Sequence, residues 1–419
     1  MPSRAVQALL TAVCAGVLAI RGAAAADAPL EKDLTVELHA HLFMEEGMGL
    51  MIRGSFHDPL CAADHWTDRF SVQANAQGMK DSHVGITVLA LYAHPIFEGD
   101  LLRSIRAQLA QVRRFVGENP EFVLARSPWE ARRALRAGKR VIILGLEGAA
   151  GIVDTDDLVR EFVDEAGIRI IAPLHLTDDH LGGGAFLAGI NILANPLAFL
   201  KQFFNQERGE YGERLNRNGI TERGMSLMRQ LIERRVWIDL SHATDQAFAK
   251  MAPVLREAGQ PILVTHSALR RHYRGERGVS DTHLQQMAQS HGYLGLMPSQ
   301  DMVETTRVRQ AFCPPGCRNC EGGIFAFATH YADAVEVLGP NSVAFGSDFN
   351  GGIRHLPPPE CAIGLPEFDQ EGFYLMSHTP RAWAALRKVG APVPEDLTVT
   401  VEAFLAGWEK VYGREPGVQ

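Results

Sequence analysis

The sequence predicts an α/β chain folded as a (β/α)8 TIM barrel, and three observations carry that prediction. Eight short, strongly apolar runs rich in β-branched residues recur along the 419 residues, as strands buried on both faces do. The segments between them have helical periodicity. Six of the eight runs also end on a residue that can bind a divalent metal or act as a base, and a barrel does its chemistry at the C-terminal ends of its strands.

The runs follow in order. LTVELHAH ends on His39 and His41, and VGITVLALY, near residues 84 to 92, lacks such an ending. VIILGLE ends on Glu147, IRIIAPLH on His175, VWIDLSH on His242 and PILVTH on His266. GYLGLM, near residues 292 to 297, again lacks one, and VAFGSDF carries Asp348. Between the runs, DLLRSIRAQLAQVRRFV and SPWEARRALRAG are amphipathic, with Ser127 as a cap and Glu130 as its capping-box partner. DTDDLVREFVDEAG starts with acids and ends on Gly167, as helix electrostatics and C-capping favour. ITERGMSLMRQLIERR precedes the fifth run and DQAFAKMAPVLREAG the sixth. Alternation of this kind does not suit an all-α or all-β fold.

Composition bounds the function. The hydrophobic fraction is 46% and the net charge of −8 mixes both signs. With no basic stripe, nucleic acid is not an expected partner. The length suits one barrel domain with long loops, over residues 27–419, and no repeat is found. The first 26 residues read as a removable export signal. Arg4 is followed by ALLTAVCAGVLAI and then by small residues ending at Ala26. The apolar stretch is too short to span a bilayer, and Val13 before Cys14 argues against a lipid anchor. Cleavage removes Arg4 and Arg21 and takes the net charge from −8 to −10. The expected location is therefore periplasmic or secreted, with no integral membrane span.

Two further segments stand out. Cys313-Pro-Pro-Gly-Cys317-Arg-Asn-Cys320 follows the seventh run. In an oxidising compartment it reads as a loop tied by one or two disulfides, with Cys361 or Cys61 as the outside partner. A metal on these thiolates is the alternative. The apolar insertion from Gly182 to Phe204 follows the fourth run. It reads as a lid over the barrel mouth, with a satellite helix on the rim and a membrane-facing patch as alternatives.

Any one of the histidines alone reads as a core or capping residue, but the set, each closing a predicted strand, reads as a metal centre. Alternate strand residues share a face, so His39 and His41 can grip one cation. Glu147 can bridge two cations through its two oxygens, and His242 and His266 can complete a second site. Asp348 can touch the first metal and the water between them. Imidazoles with a few carboxylates suit two divalent ions, zinc foremost.

In the segments GLEGAAGI, IIAPLHLTDD, GITERGMSLMRQLIERRVWIDLSH, PILVTHSALR, RGVSD and VAFGSDFNG, the chain resembles the membrane (renal) dipeptidase family of the amidohydrolase superfamily. The likeness runs over roughly residues 33 to 415. It implies a binuclear zinc hydrolase that cuts small L,L and some L,D dipeptides, and it suggests a homodimer. By motif, His39 and His41 hold the first metal, Glu147 bridges, and His242 and His266 hold the second. Asp348 serves as base or proton shuttle, His175 steadies the developing oxyanion, and Arg277 receives the substrate carboxylate, with Arg271 and Arg274 as nearby alternatives. One departure stands in the first strand, where the family usually has His-x-Asp and this chain has His39-Ala40-His41, the pattern of the wider superfamily. That change leaves a pair of metals more positive by one charge. Gly278 also replaces the family's Asn in the arginine motif. The alternative function is another metal-dependent amidohydrolase on the same barrel, an N-acyl amino acid deacylase or a lactonase.

Overall fold

The computed structural model describes residues 29–44, 71–94, 98–187 and 196–413. Its strands are β1 (Thr35–Ala40), β2 (Val84–Leu91), β3 (Phe122–Leu124), β4 (Arg140–Glu147), β5 (Ile170–Ala172) and β6 (Gln206–Arg208). They continue as β7 (Arg214–Asn216), β8 (Trp237–Ile238), β9 (Leu263–Ser267), β10 (Tyr293–Leu296) and β11 (Val343–Phe345). Eight pair in parallel in the order β8-β5-β4-β2-β1-β11-β10-β9, and a parallel bridge from Asp239 to Leu263 joins the two ends. Each predicted apolar run supplies one strand of this barrel. The short β3 is an addition outside the ring, paired with β4, and β6 and β7 form an antiparallel hairpin.

Strand alternation sorts the core into two layers. Val36, Ile86, Val141, Ile170, Trp237, Leu263, Tyr293 and Ala344, one from each barrel strand, join Phe404 and Trp408 in one buried cluster. The last two come from the helix Thr398–Tyr412, and Trp237 meets Phe404 with ring centroids 5.4 Å apart. The opposite strand faces bury Ile142, Leu144, Ile238 and Phe345 in a second cluster with the surrounding helices. Burying such side chains contributes about 1.5–3 kcal/mol each, so the barrel is a stiff platform for whatever its strand ends present.

The expected helices form at Leu101–Glu118, Pro128–Arg136, Glu222–Glu233 and Asp245–Glu257, and Asp100, Ser127, Thr221 and Thr244 cap them by accepting backbone N–H groups. Two details differ from expectation. The Glu130 carboxylate accepts from the Arg126 N–H at 2.7 Å, so the reciprocal half of the capping box at Ser127 is not made. The acid-rich segment starts as an α-helix at Asp156–Val159 but widens into a π-helix at Arg160–Glu165. Cys313 pairs with Cys320 and Cys317 with Cys361, which ties the loop after β10 to the loop after β11. Their sulfurs are therefore not metal ligands. The export signal, Cys14 and Cys61 lie outside the described residues. No helix among the described residues is long and apolar enough to cross a membrane.

The apolar insertion divides into two parts. Its first residues form a strap across the mouth, with Gly182 bridged to Ile220 and Gly184 to Ala243. Ala185 N–H donates to the His242 carbonyl at 2.9 Å. Only glycine fits at 184, because a Cβ there would lie 1.9 Å from the His175 carbonyl oxygen. Residues 188–195 lie outside the described set. The second part is the helix Pro196–Phe204, whose buried Gln202 donates to Asp178 at 2.8 Å. Leu197, Leu200, Phe203 and Phe204 of that helix are exposed.

Candidate metal centre

The strand ends bring the predicted donors to one point. Glu147, the last residue of β4, is buried at the centre. Its Oε1 lies 2.8 Å from His242 Nε2, 3.2 Å from His266 Nε2 and 3.6 Å from His39 Nε2. Its Oε2 lies 3.2 Å from His41 Nε2 and 3.4 Å from His175 Nε2. β1 slips register against β2 between Glu37 and Ala40, an irregularity of the kind that re-aims side chains beside sites. His39 Nε2 and His41 Nε2 then lie 3.3 Å apart. Asp348 Oδ1 comes within 3.2 Å of His41 Nε2 and 4.0 Å of His39 Nε2.

Asp348 sits in the left-handed region at φ +54, where a non-glycine residue is uncommon and strain often marks function. Its N–H donates to the His39 carbonyl at 2.9 Å, which holds that geometry. Its buried Oδ1 has no hydrogen-bond partner among the described residues. Arg277 is buried and aimed inward, with Nη1 donating to the Ser241 carbonyl and Nη2 3.2 Å from His242 Nε2. Arg271 instead pairs with Asp281 and Asp333. Arg274 closes the short helix Arg270–Tyr273 in a left-handed conformation.

The donors fit divalent metals. Neighbouring donor atoms held by one zinc ion at about 2.0–2.2 Å lie about 2.8–3.6 Å apart, the short end for five or six donors and the long end for a tetrahedron. The triad His39 Nε2, His41 Nε2 and Asp348 Oδ1 spans 3.2–4.0 Å. The triad Glu147 Oε1, His242 Nε2 and His266 Nε2 spans 2.8–3.2 Å. Electrostatics agree. Burial raises the Glu147 pKa, but His175 and His39 outweigh it and hold the carboxyl well below its ordinary range. Burial also opposes charge on His41, yet Asp348 and Glu147 push it up to about 10. Burial, with Arg277 adding to it, holds His242 and His266 well below the usual histidine range. The site thus combines an ionised carboxylate with two imidazoles, His242 and His266, that favour their neutral, ligating form, while His41 is drawn toward its charged form by the neighbouring carboxylates.

Beside this centre, a cleft of about 170 Å³ is lined by Tyr92, His94, Leu101, Glu147, Ile152 and His175. The Tyr92 and His175 ring centroids lie 4.7 Å apart. The second run, which lacks a metal-binding or basic ending, supplies Tyr92 to the wall of this cleft. The available signal was its phase, since Tyr92 continues the inward series of Ile86, Val88 and Ala90. His94 is held down to about 4 by burial and by His175.

Glu276, also unforeseen, fastens the strap. Its Oε2 accepts the N–H groups of Phe186 at 2.6 Å and Asn216 at 2.9 Å. Burial pushes this carboxyl up to about 7, against the pull of those N–H donors. A raised folded pKa means that the native state binds the proton more tightly. The stabilisation is then complete below the ordinary value of 4.5 and is lost as pH rises through about 7. Glu276→Gln is expected to remove this dependence, flattening by up to about 3 kcal/mol the fall in stability between pH 5 and 8. Unfolding midpoints across pH check it, and parallel curves for the two proteins would refute it.

The fold and the converging donors define an amidohydrolase-like barrel. A sequence model of membrane dipeptidases (peptidase family M19) matches residues 29–186 and 199–359, and the chain belongs to that family. It is 24% identical to dipeptidase ataJ of Aspergillus terreus over 255 residues, 60% of this chain and 57% of that protein. It is 26% identical over 133 residues to an uncharacterized protein in the pqqA 5' region of Klebsiella pneumoniae, 32% of this chain and 45% of that one. The chain spans about half the length of the curated relatives it matches. Among solved structures, a metallo peptidase from Rhodobacter sphaeroides, liganded with a phosphinate mimic of the dipeptide L-Ala-D-Ala, aligns with a TM-score of 0.66. The two are 18% identical over 91% of this chain and 100% of that one. The probable dipeptidase PvdM from Pseudomonas aeruginosa aligns at 0.65, with 15% identity over 94% and 98% of the two chains.

Proposed function

We infer that the chain is an exported two-metal dipeptidase that hydrolyses small L,L and L,D dipeptides. The observation that carries this reading is the convergence of His39, His41, His242 and His266 on the two oxygens of Glu147. The family membership and the phosphinate dipeptide mimic on the Rhodobacter sphaeroides protein support the substrate class. The two disulfides support export.

His39, His41 and Asp348 would hold one divalent ion, zinc foremost, and His242 and His266 the other, with Glu147 between them. When bound, such a pair acidifies water and polarises a carbonyl. The chain's own groups do the rest. The Asp348 carboxylate, through whichever oxygen the ion leaves unused, takes the proton of the attacking water and returns it to the leaving amine. His175 Nε2 supports the oxyanion that forms at the substrate carbonyl. Arg277, planar and pre-positioned, pairs with the substrate's terminal carboxylate.

The test counts zinc per chain and follows amine release from an L,L and L,D dipeptide panel, with and without chelator. Near two metals and chelator-sensitive cleavage are expected, and a chain that binds no metal would overturn the reading. Arg277→Ala is expected to lower kcat/KM for free-carboxylate dipeptides on the order of 100-fold and for their esters by little. Equal loss on both would remove the carboxylate role from Arg277 and favour an N-acyl amino acid deacylase or lactonase.

A further inference from the structure

Beneath the candidate metal centre, one hydroxyl touches a histidine from each half of it. Thr265 Oγ1 lies 3.1 Å from His39 Nδ1 and 3.0 Å from His266 Nδ1. On its other side it donates to Asp239 Oδ2. All four side chains are buried. Asp239 acts as an acceptor here, because Oδ1 already receives Ser241 Oγ at 2.5 Å, Ser241 N–H at 3.0 Å and Thr265 N–H at 3.0 Å.

Hydrogen counting then decides the tautomers. A threonine hydroxyl has one proton and two lone pairs. With the proton on Asp239, and with the Ser241 hydroxyl 3.1 Å away donating its own proton to Asp239, both lone pairs are available to accept, and the two nearby ring nitrogens can only donate to them. His39 and His266 therefore each carry hydrogen on Nδ1, so that in its neutral, ligating form each ring offers the Nε2 lone pair on the side of Glu147, 3.6 Å and 3.2 Å from its Oε1. His41 reaches the same tautomer separately, its Nδ1 donating to the Ala90 carbonyl at 3.1 Å. His242 Nδ1 is buried with no hydrogen-bond partner among the described residues. Outer partners of this kind orient ligands and set their basicity.

We propose that Thr265 is a shared positioning residue, its hydroxyl presetting one histidine at each of the two metal positions so that both are loaded or weakened together. The inference rests on the metal reading above and goes beyond it by coupling the two positions through a residue that touches neither metal nor substrate. Asp239, which orients that hydroxyl, is part of the same device.

The experiment measures zinc affinity by chelator competition for the wild-type chain, Thr265→Val and Thr265→Ser. Valine keeps the shape and removes the hydroxyl, whereas serine keeps the hydroxyl. Thr265→Val is expected to weaken both zinc ions by about 10–100-fold and Thr265→Ser to stay within about threefold of wild type. A valine variant that binds both ions normally, or loses only one, overturns the proposal. A wild-type chain that binds no zinc instead defeats the metal reading itself. Long-range proton–nitrogen spectra of labelled imidazoles in the metal-free wild type need no variant to fold. Hydrogen on Nδ1 is expected for both His39 and His266, and an Nδ1 without hydrogen on either ring overturns the proposal.

Discussion

Asp348→Asn is expected to lower kcat by about 100- to 10,000-fold in protein saturated with metal. The substitution is nearly isosteric, and asparagine tolerates the left-handed backbone that Asp348 adopts at φ +54. The local frame is carried by backbone bonds, Asp348 N–H to His39 and Gly351 N–H to Asp348, so the loop should keep its shape. What disappears is the basic oxygen at Oδ1, the buried atom without a hydrogen-bond partner that faces His41 Nε2 at 3.2 Å. Single-turnover kinetics with metal analysis of the same sample check this. A kcat within tenfold of wild type would assign the proton transfer elsewhere.

Glu147→Gln is expected to weaken metal binding at both positions by more than about 100-fold and to abolish turnover at ordinary metal concentrations. The carboxylate is the one negative group that all five imidazoles approach, from 2.8 Å at His242 to 3.6 Å at His39. A glutamine there keeps volume but loses the charge, and its amide presents N–H hydrogens toward nitrogens that should offer lone pairs. The chain should still fold, since β4 is held by its register with β2 and β5 and by a buried aliphatic face. Retention of both metals through dialysis against a chelator would show that Glu147 does not bridge.

The barrel was readable because each of its strands is buried on both faces. A buried parallel strand must be apolar along its whole length, so Val141 to Leu146 or Leu263 and Val264 stand out without any partner in view. The donors were readable for the same reason in reverse. Glu147, His175, His242 and His266 are polar endings on runs that are mostly apolar. Tyr92 escaped because an aromatic ending on an aliphatic run does not break that pattern. Glu276 escaped because it lies in a charged loop, RRHYRGERG, where one more acid carries no signal.

By itself, the sequence determined the strand count of the barrel, the end of it where the candidate donors gather and their residue types, since hydrophobic periodicity is a local property of the chain. Tertiary structure alone decided which atoms meet. It turned Arg277 rather than Arg271 or Arg274 toward His242, paired Cys317 with Cys361, and set the Thr265 hydroxyl between His39 and His266. Those outcomes depend on residues far apart along the chain and on distances of a few tenths of an ångström, which only the closed and packed barrel fixes.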